Sequence, residues 1–354
     1  MFYSNFIKKL SAVSMTSFTL ALASISSTAI GDEKHDMSFG EWSSPVNLSA
    51  SSPGINTAAR EGCQVLSPDG LSLLFASDQP DASRDETRKD LDLWVAERAH
   101  KNMLFSTPRN LGSIVNSVKD EVCPTLSKNG KRLYFASNRD EGCGDRDLYF
   151  STRENKHDNF NWQDPVHLGC DINSDKRDHG ASYFKTEDDG ELLYFSSNRP
   201  TDDTRFSGHN IYVVKIGRDG VPKKSTLNLV DGLNTTNSES RPFLRKDGLE
   251  IFFDKDIGDG NREDLWVATR NSQSEPFSDA KQILSVASAG RNIRPALNQK
   301  ATTLYFTSTR SVGSLGRADI WVTTRDMIEN QDDSNNAHDN DDEDDDDSDN
   351  EDDD

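Results

Sequence analysis

Leu133-Tyr-Phe-Ala-Ser137 returns, with small changes, four more times along the chain: Leu-Leu-Phe-Ala-Ser at 73–77, Leu-Tyr-Phe-Ser-Ser at 193–197, Ile-Phe-Phe-Asp-Lys at 251–255 and Leu-Tyr-Phe-Thr-Ser at 304–308. The central residues Phe75, Phe135, Phe195, Phe253 and Phe306 lie 60, 60, 58 and 53 positions apart. A regular period of this size marks one supersecondary unit stacked on copies of itself. Four of the five strings follow a tight turn, Pro68-Asp-Gly70, Lys128-Asn-Gly130, Asp188-Asp-Gly190 and Lys246-Asp-Gly248. Glycine there supplies the positive φ of a short hairpin. The fifth copy has Gln299-Lys-Ala301 instead.

A second strand follows each string: Asp92-Leu-Trp-Val95, Asp147-Leu-Tyr-Phe150, Asn210-Ile-Tyr-Val213, Asp264-Leu-Trp-Val267 and Asp319-Ile-Trp-Val322. A third element pairs Trp42 with Pro45 and Leu48, and returns at Phe105, at Trp162 and more loosely at Phe277. It precedes the first repeat and is missing after the last, which ends at Arg325. Apolar residues on successive strand positions indicate sheets buried on both faces. The reading is all-β, a five-bladed β-propeller over residues 42–326 with strands A to D in each blade. The strand at Trp42–Leu48 completes the last blade, so no sheet edge stays open. Six blades are the alternative, with a degenerate blade hidden in 199–240.

The second copy is the fullest: Glu121, Pro124, Leu126, Ser127, Gly130, Ser137, Arg139, Gly144, Asp147, Leu148 and Tyr149. This pattern resembles the WD-repeat-like propeller repeat of the TolB type. The resemblance implies a propeller fold and leaves function open, because such propellers serve as scaffolds, ligand binders and enzyme frames.

The chain has 354 residues and a formal charge of −21, of which 13 Asp and 2 Glu fall in residues 331–354. The first 330 residues therefore carry only −6. No basic block occurs, so nucleic acid has no electrostatic footprint. Residues 1–31 read as a signal peptide: Lys8 and Lys9, an apolar Ser/Thr-rich stretch to Ile30, then charge. Residues 32–41 are a lead, and 327–354 a disordered acidic tail. A periplasmic or secreted monomer is expected, with no membrane span once the signal is removed. Four cysteines suit such a compartment, and the repeat alignment pairs Cys63 with Cys123 and Cys143 with Cys170.

B-to-C loops and D-to-A links should share one face of a propeller, around the channel mouth. Glu61, Glu121, Asp178 and Glu239 begin strand A in four blades, with Asn292 in the fifth. They are candidate acids for glycosidic cleavage, which needs paired carboxyls. Recurrence in four copies also fits a repeat-structural role. Arg139, Arg199 and Arg310 end strand B and are expected to brace the aspartates that begin strand C, Asp147 and Asp319. Arg60, Arg177, Arg241, Arg291 and Arg294 could receive an anionic sugar or carboxylate, or neutralise the acids, and His179 and His209 could polarise a substrate or bind a transition metal. Asp254, Asp256, Asp259, Asn261 and Asp264 alternate as oxygen ligands of calcium do. Calcium is the one ion these residues suit; otherwise no cofactor is expected.

The functional expectation is an exported binding module or scaffold for an envelope protein or glycan, without catalysis. The alternative is a glycan-active hydrolase of the five-bladed furanosidase or sialidase type. A sialidase Ser-x-Asp-x-Gly-x-x-Trp box is missing, and no Gly-x-Ser-x-Gly elbow occurs.

Overall fold

The computed structural model describes residues 38–81, 89–188, 190–202, 206, 208–258 and 262–328. The expected signal peptide, most of the lead and most of the acidic tail lie outside them. Five four-stranded antiparallel sheets form a five-bladed β-propeller. Strands A, B and C of blade one are Glu61–Leu66, Ser72–Ser77 and Asp92–Glu97. Those of blade two are Glu121–Leu126, Arg132–Ser137 and Asp147–Thr152. Blade three has Asp178–Lys185, Glu191–Ser197 and Asn210–Lys215. Blade four has Glu239–Leu244, Glu250–Asp256 and Glu263–Thr269, and blade five Asn292–Leu297, Thr303–Ser308 and Asp319–Thr324. The outermost D strands are Arg109–Asn110, Val166–His167, Asn228–Leu229 and Ser278–Gln282 in blades one to four.

The fourth strand of blade five is Val46–Asn47, paired antiparallel with Asp319–Thr324 through Val46 opposite Val322. The two chain ends thus complete one sheet, as the permuted third element implies. A further pair, Ser38–Phe39 against Met327–Ile328, extends that closure. Among the described residues, 199–240 hold strands C and D of blade three, Asn210–Lys215 and Asn228–Leu229, and the start of blade four, with no sheet of a sixth blade.

The five repeat phenylalanines, Phe75, Phe135, Phe195, Phe253 and Phe306, are all fully buried. Each sits mid-strand in B, where flat blades press on both faces, so aromatic residues fill the space between them. Strand A of each blade runs beside strand A of the next, and that of blade five beside that of blade one, around a central axis. Every A strand carries a β-bulge at its third residue. The bulged residues are Cys63, Cys123, Gly180, Arg241 and Arg294, with φ of 54°, 53°, 64°, 51° and 63°. Four of them carry a side chain in a conformation that favours glycine, a strain that these strands hold in place. The bulge re-aims the side chains toward the axis.

Candidate channel-mouth site

Two of the bulged residues, Cys63 and Cys123, are joined in a disulfide that links the innermost strands of blades one and two. Cys143 and Cys170 form the second. Both pairings agree with the repeat alignment. Arg241 and Arg294 supply the bulged side chains of blades four and five, and Arg241 lies over the bare Gly180 of blade three. Between them the axis narrows to a cavity of about 30 Å³ walled by Cys63, Cys123, Gly180, Arg241 and Arg294, the room of one water molecule. The opposite end, among the A-to-B turns, opens into a larger cleft of about 330 Å³ that includes Tyr183, Phe243 and Lys246. Its Asp247 serves its own turn, accepting from Arg245 Nε at 2.8 Å and Leu249 N at 3.0 Å.

The acids that begin strand A lie beneath the mouth, all without exposed surface. Each accepts from the backbone N–H and the hydroxyl of the residue four positions earlier: Glu61 from Thr57, Glu121 from Ser117, Asp178 from Ser174, Glu239 from Thr235. Glu121 also accepts from Ser137 Oγ at 2.9 Å and Arg139 Nε at 3.1 Å. Arg199 reaches Asp178 at 2.6 Å, Arg310 reaches Asn292 at 2.9 Å, and Lys255 reaches Glu239 at 3.1 Å. Among the described residues, no cation reaches Glu61 in blade one. Burial pushes the Glu61 carboxyl up, opposed by hydrogen bonds from Thr57 and Ser77. The same cause raises Glu121, against Ser117 and Arg139.

The expected brace from Arg139 and Arg310 to the strand C aspartates is corrected by these contacts: the arginines serve strand A. Asp147 is already occupied by its own loop, taking the N–H groups of Cys143 and Gly144, with His167 Nε2 3.3 Å away. Asp319 accepts from Leu315, Gly316 and Asn47 in the same way.

Above the ring lies the mouth. Asp254 receives Arg241 in a bidentate pair at 2.8 and 2.7 Å, and Arg241 also reaches Glu263 at 2.8 Å. Arg291 binds Glu263 from the next blade. Burial alone would raise Glu263, but Arg241 and Arg291 outweigh it and hold the carboxylate low. Arg60 sits 3.4 Å from Asp78, which Arg317 also contacts, and Arg177 lies 3.2 Å from Asp145. Arg146, which the repeat alignment passes over, donates to Asp120 at 2.7 Å. His179 and His209 stack edge to face with ring centres 4.9 Å apart. Burial drives His179 well below its ordinary range and, with Arg241 and Arg177 adding to it, His209 down to about 4. Both are neutral donors or acceptors at pH 7.

Of the proposed calcium ligands, Asp259 and Asn261 lie outside the described residues. Asp254 is spent on Arg241, and Asp264 accepts from Gln282 and Asn292 at 2.8 Å each. Two of the five carboxylate or amide groups therefore face nitrogen donors. A cluster of Cys143, Asp147 and His167 has the spacing of metal ligands, but Cys143 is in a disulfide.

No protein-family model matches the sequence, and no curated protein matches it. Solved structures do share the fold. A thermostable family-43 glycoside hydrolase is 9% identical over 79% of this chain and 93% of its own, with a TM-score of 0.53. An α-L-arabinofuranosidase from Lactobacillus brevis is 12% identical over 81% of this chain and 96% of its own, TM-score 0.52. The arabinanase of Bacillus subtilis is 13% identical over 77% and 94%, TM-score 0.52. At such identity the likeness is one of fold. A protein assigned as TolB from Agrobacterium tumefaciens reaches a TM-score of only 0.43, so the TolB-type resemblance rests on the repeat residues alone. The expectation of a binding module without catalysis is corrected here in favour of its alternative, since solved structures sharing this fold over about four-fifths of the chain are glycoside hydrolases.

Proposed function

We propose that this protein is a glycan-active hydrolase that works at the channel mouth. The observation that carries the reading is Glu263: a carboxylate one-fifth exposed, held ionised between Arg241 and Arg291, at the mouth of a five-bladed propeller. An ionised carboxylate that solvent can reach suits the base or nucleophile of glycosidic cleavage. The partner role needs a carboxyl that keeps its proton near neutrality. In the ring, Glu61 and Glu121 are raised by burial but have no exposed surface, so neither is given that role. The five-bladed frame shared with a family-43 glycoside hydrolase and an arabinanase supports the same reading.

The test is release of reducing ends from a panel of neutral and acidic oligosaccharides by the purified protein. Glu263→Gln should lower turnover by about 10²- to 10⁴-fold, the range of a lost general acid or base, while the melting temperature stays within a few degrees. Unchanged turnover in that variant, or no cleavage anywhere in the panel, overturns the proposal.

A further inference from the structure

Five carboxylates at the mouth are already claimed. Asp254 and Glu263 are taken by Arg241 and Arg291, Asp120 by Arg146, Asp145 by Arg177, and Asp78 by Arg60 and Arg317. Arg294 is left over. Its backbone N–H donates to Asp254 at 3.0 Å, but its guanidinium has no hydrogen bond or ion pair among the described residues, and its Nε is buried without a partner. Other buried polar atoms on this face are orphaned too: the donors Arg60 Nε and Arg146 Nε, the ring nitrogen His209 Nε2, and the acceptors Asp147 Oδ1 and Asn210 Oδ1. Burial and the nearby Arg241 push Arg294 down to about 9, and Arg146 also falls through burial, with Arg177 adding to it. Buried donors without acceptors are rare in folded proteins and call for an unseen partner. Arg60, Arg146 and Arg294 carry guanidiniums, which only donate, so the partner they lack is an acceptor, and the Arg294 charge, which has no carboxylate of its own, favours an anion. Arg294 and Arg146 are each partly accessible to solvent, so an outside group can reach them.

We infer that the mouth takes the carboxylate of an acidic sugar, held by Arg294, and that the glycan substrate is therefore a uronic-acid-bearing one. This rests on the glycan reading above and narrows it. A planar carboxylate matches the guanidinium fork in a way a neutral hydroxyl does not.

Calorimetric binding of trigalacturonate and of a glucuronate-bearing xylotriose, each against its own methyl ester, tests it. The esters keep the shape and remove the charge. The acids should bind about tenfold tighter than the esters at low salt, as expected for a charged hydrogen bond that the ester cannot accept. The gap should shrink at about 0.5 M salt, where charges are screened. Arg294→Gln should close it, and Arg294→Lys, kept in case the first variant folds poorly, should restore only part.

Equal binding of acid and ester overturns the inference and leaves the hydrolase reading intact if a neutral oligosaccharide is cleaved. Acid-selective binding without cleavage of any sugar supports the inference and sinks the hydrolase reading. Bromide found at Arg294 by anomalous diffraction, with neither acid bound in solution, identifies an inorganic anion site and overturns the sugar. Binding of nothing overturns it as well.

Discussion

Glu121 has no exposed surface and takes donors on both oxygens. Replacing it with Gln strips the charge that Arg139 faces and leaves one donor without an acceptor. Breaking such a pair costs about 3 kcal/mol, somewhat less here because Arg139 is one-fifth exposed; chemical denaturation should show the loss. Ala301 stands where the other four blades have a turn glycine, three of them at positive φ (Gly70, Gly130 and Gly248), and is itself held at φ 56°. Ala301→Gly should therefore stabilise the fold by about 1 kcal/mol. The histidine pair acts through pH. Both folded values lie below the ordinary 6.5, so the unfolded chain binds more protons on acidification. Their contribution is complete above about 6.5 and fades as pH falls toward the folded value of about 4 for His209. A melting curve measured from pH 7 to 4.5 should fall, and His209→Asn should flatten it. The repeat alignment exposed the strand A acids, because identical positions recur. It passed over Arg146, because its counterparts Leu91, His209, Glu263 and Ala318 share no chemistry with it. It also sent Arg139 to the wrong partner, because nothing in the residue order shows that the loop of Asp147 already fills that carboxylate.

Two devices recur at the level of strands and links, and both were written in the sequence unread. In each D-to-A link except the one entering blade five, an asparagine clasps the backbone of a strand C residue from both sides. Asn116 accepts from Leu93 N at 2.8 Å and donates to Leu93 O at 2.9 Å. Asn56 does the same at Ile320, Asn173 at Leu148 and Asn234 at Ile211. The next residue is the Thr or Ser that caps the strand A acid, so the signal is Asn, Thr or Ser, then Glu or Asp four further on. The link into blade five has Ala287 in place of the asparagine. The second device follows strand C. Arg153 Nε donates to Gly130 O at 2.8 Å while its guanidinium covers Trp162 at 4.3 Å. Arg98, Arg270 and Arg325 repeat it over Phe105, Phe277 and Trp42. This explains why an aromatic residue opens each third element: it is the lid of an arginine that fastens the A-to-B turn. Asn116→Ala should cost about 2 kcal/mol, leaving a buried N–H and C=O unpaired. Arg153→Lys should cost about as much, since an ammonium cannot both reach the turn and stack. Urea titration of each variant measures both.

Over the whole molecule, the fivefold period was legible because each blade repeats one strand order, and the closure because one element was displaced to the start. The extra Ser38–Phe39 pairing was not, since a two-residue strand leaves no periodic trace. Its Phe39 ring sits 3.8 Å from the Arg325 guanidinium and 5.2 Å from that of Arg245, fastening both chain ends to blades four and five. Deleting residues through Leu48 takes away this pair, the fourth strand of blade five and Trp42. That variant should lose the cooperative melting transition and elute from size exclusion as aggregate, because it bares a sheet edge; a monomer that melts as the full chain does would refute the closure argument. Calcium should leave the melting temperature of the intact protein unmoved, as Asp254 already holds Arg241. The same closure governs assembly in time. Asn47 must meet Trp321, some 270 residues later, so blade five waits until almost the whole chain has been made. Its loop-closure entropy is unpaid until then. A ribosome that stops early therefore releases four blades with nothing to seal them, and quality control meets an open ring, not a smaller protein.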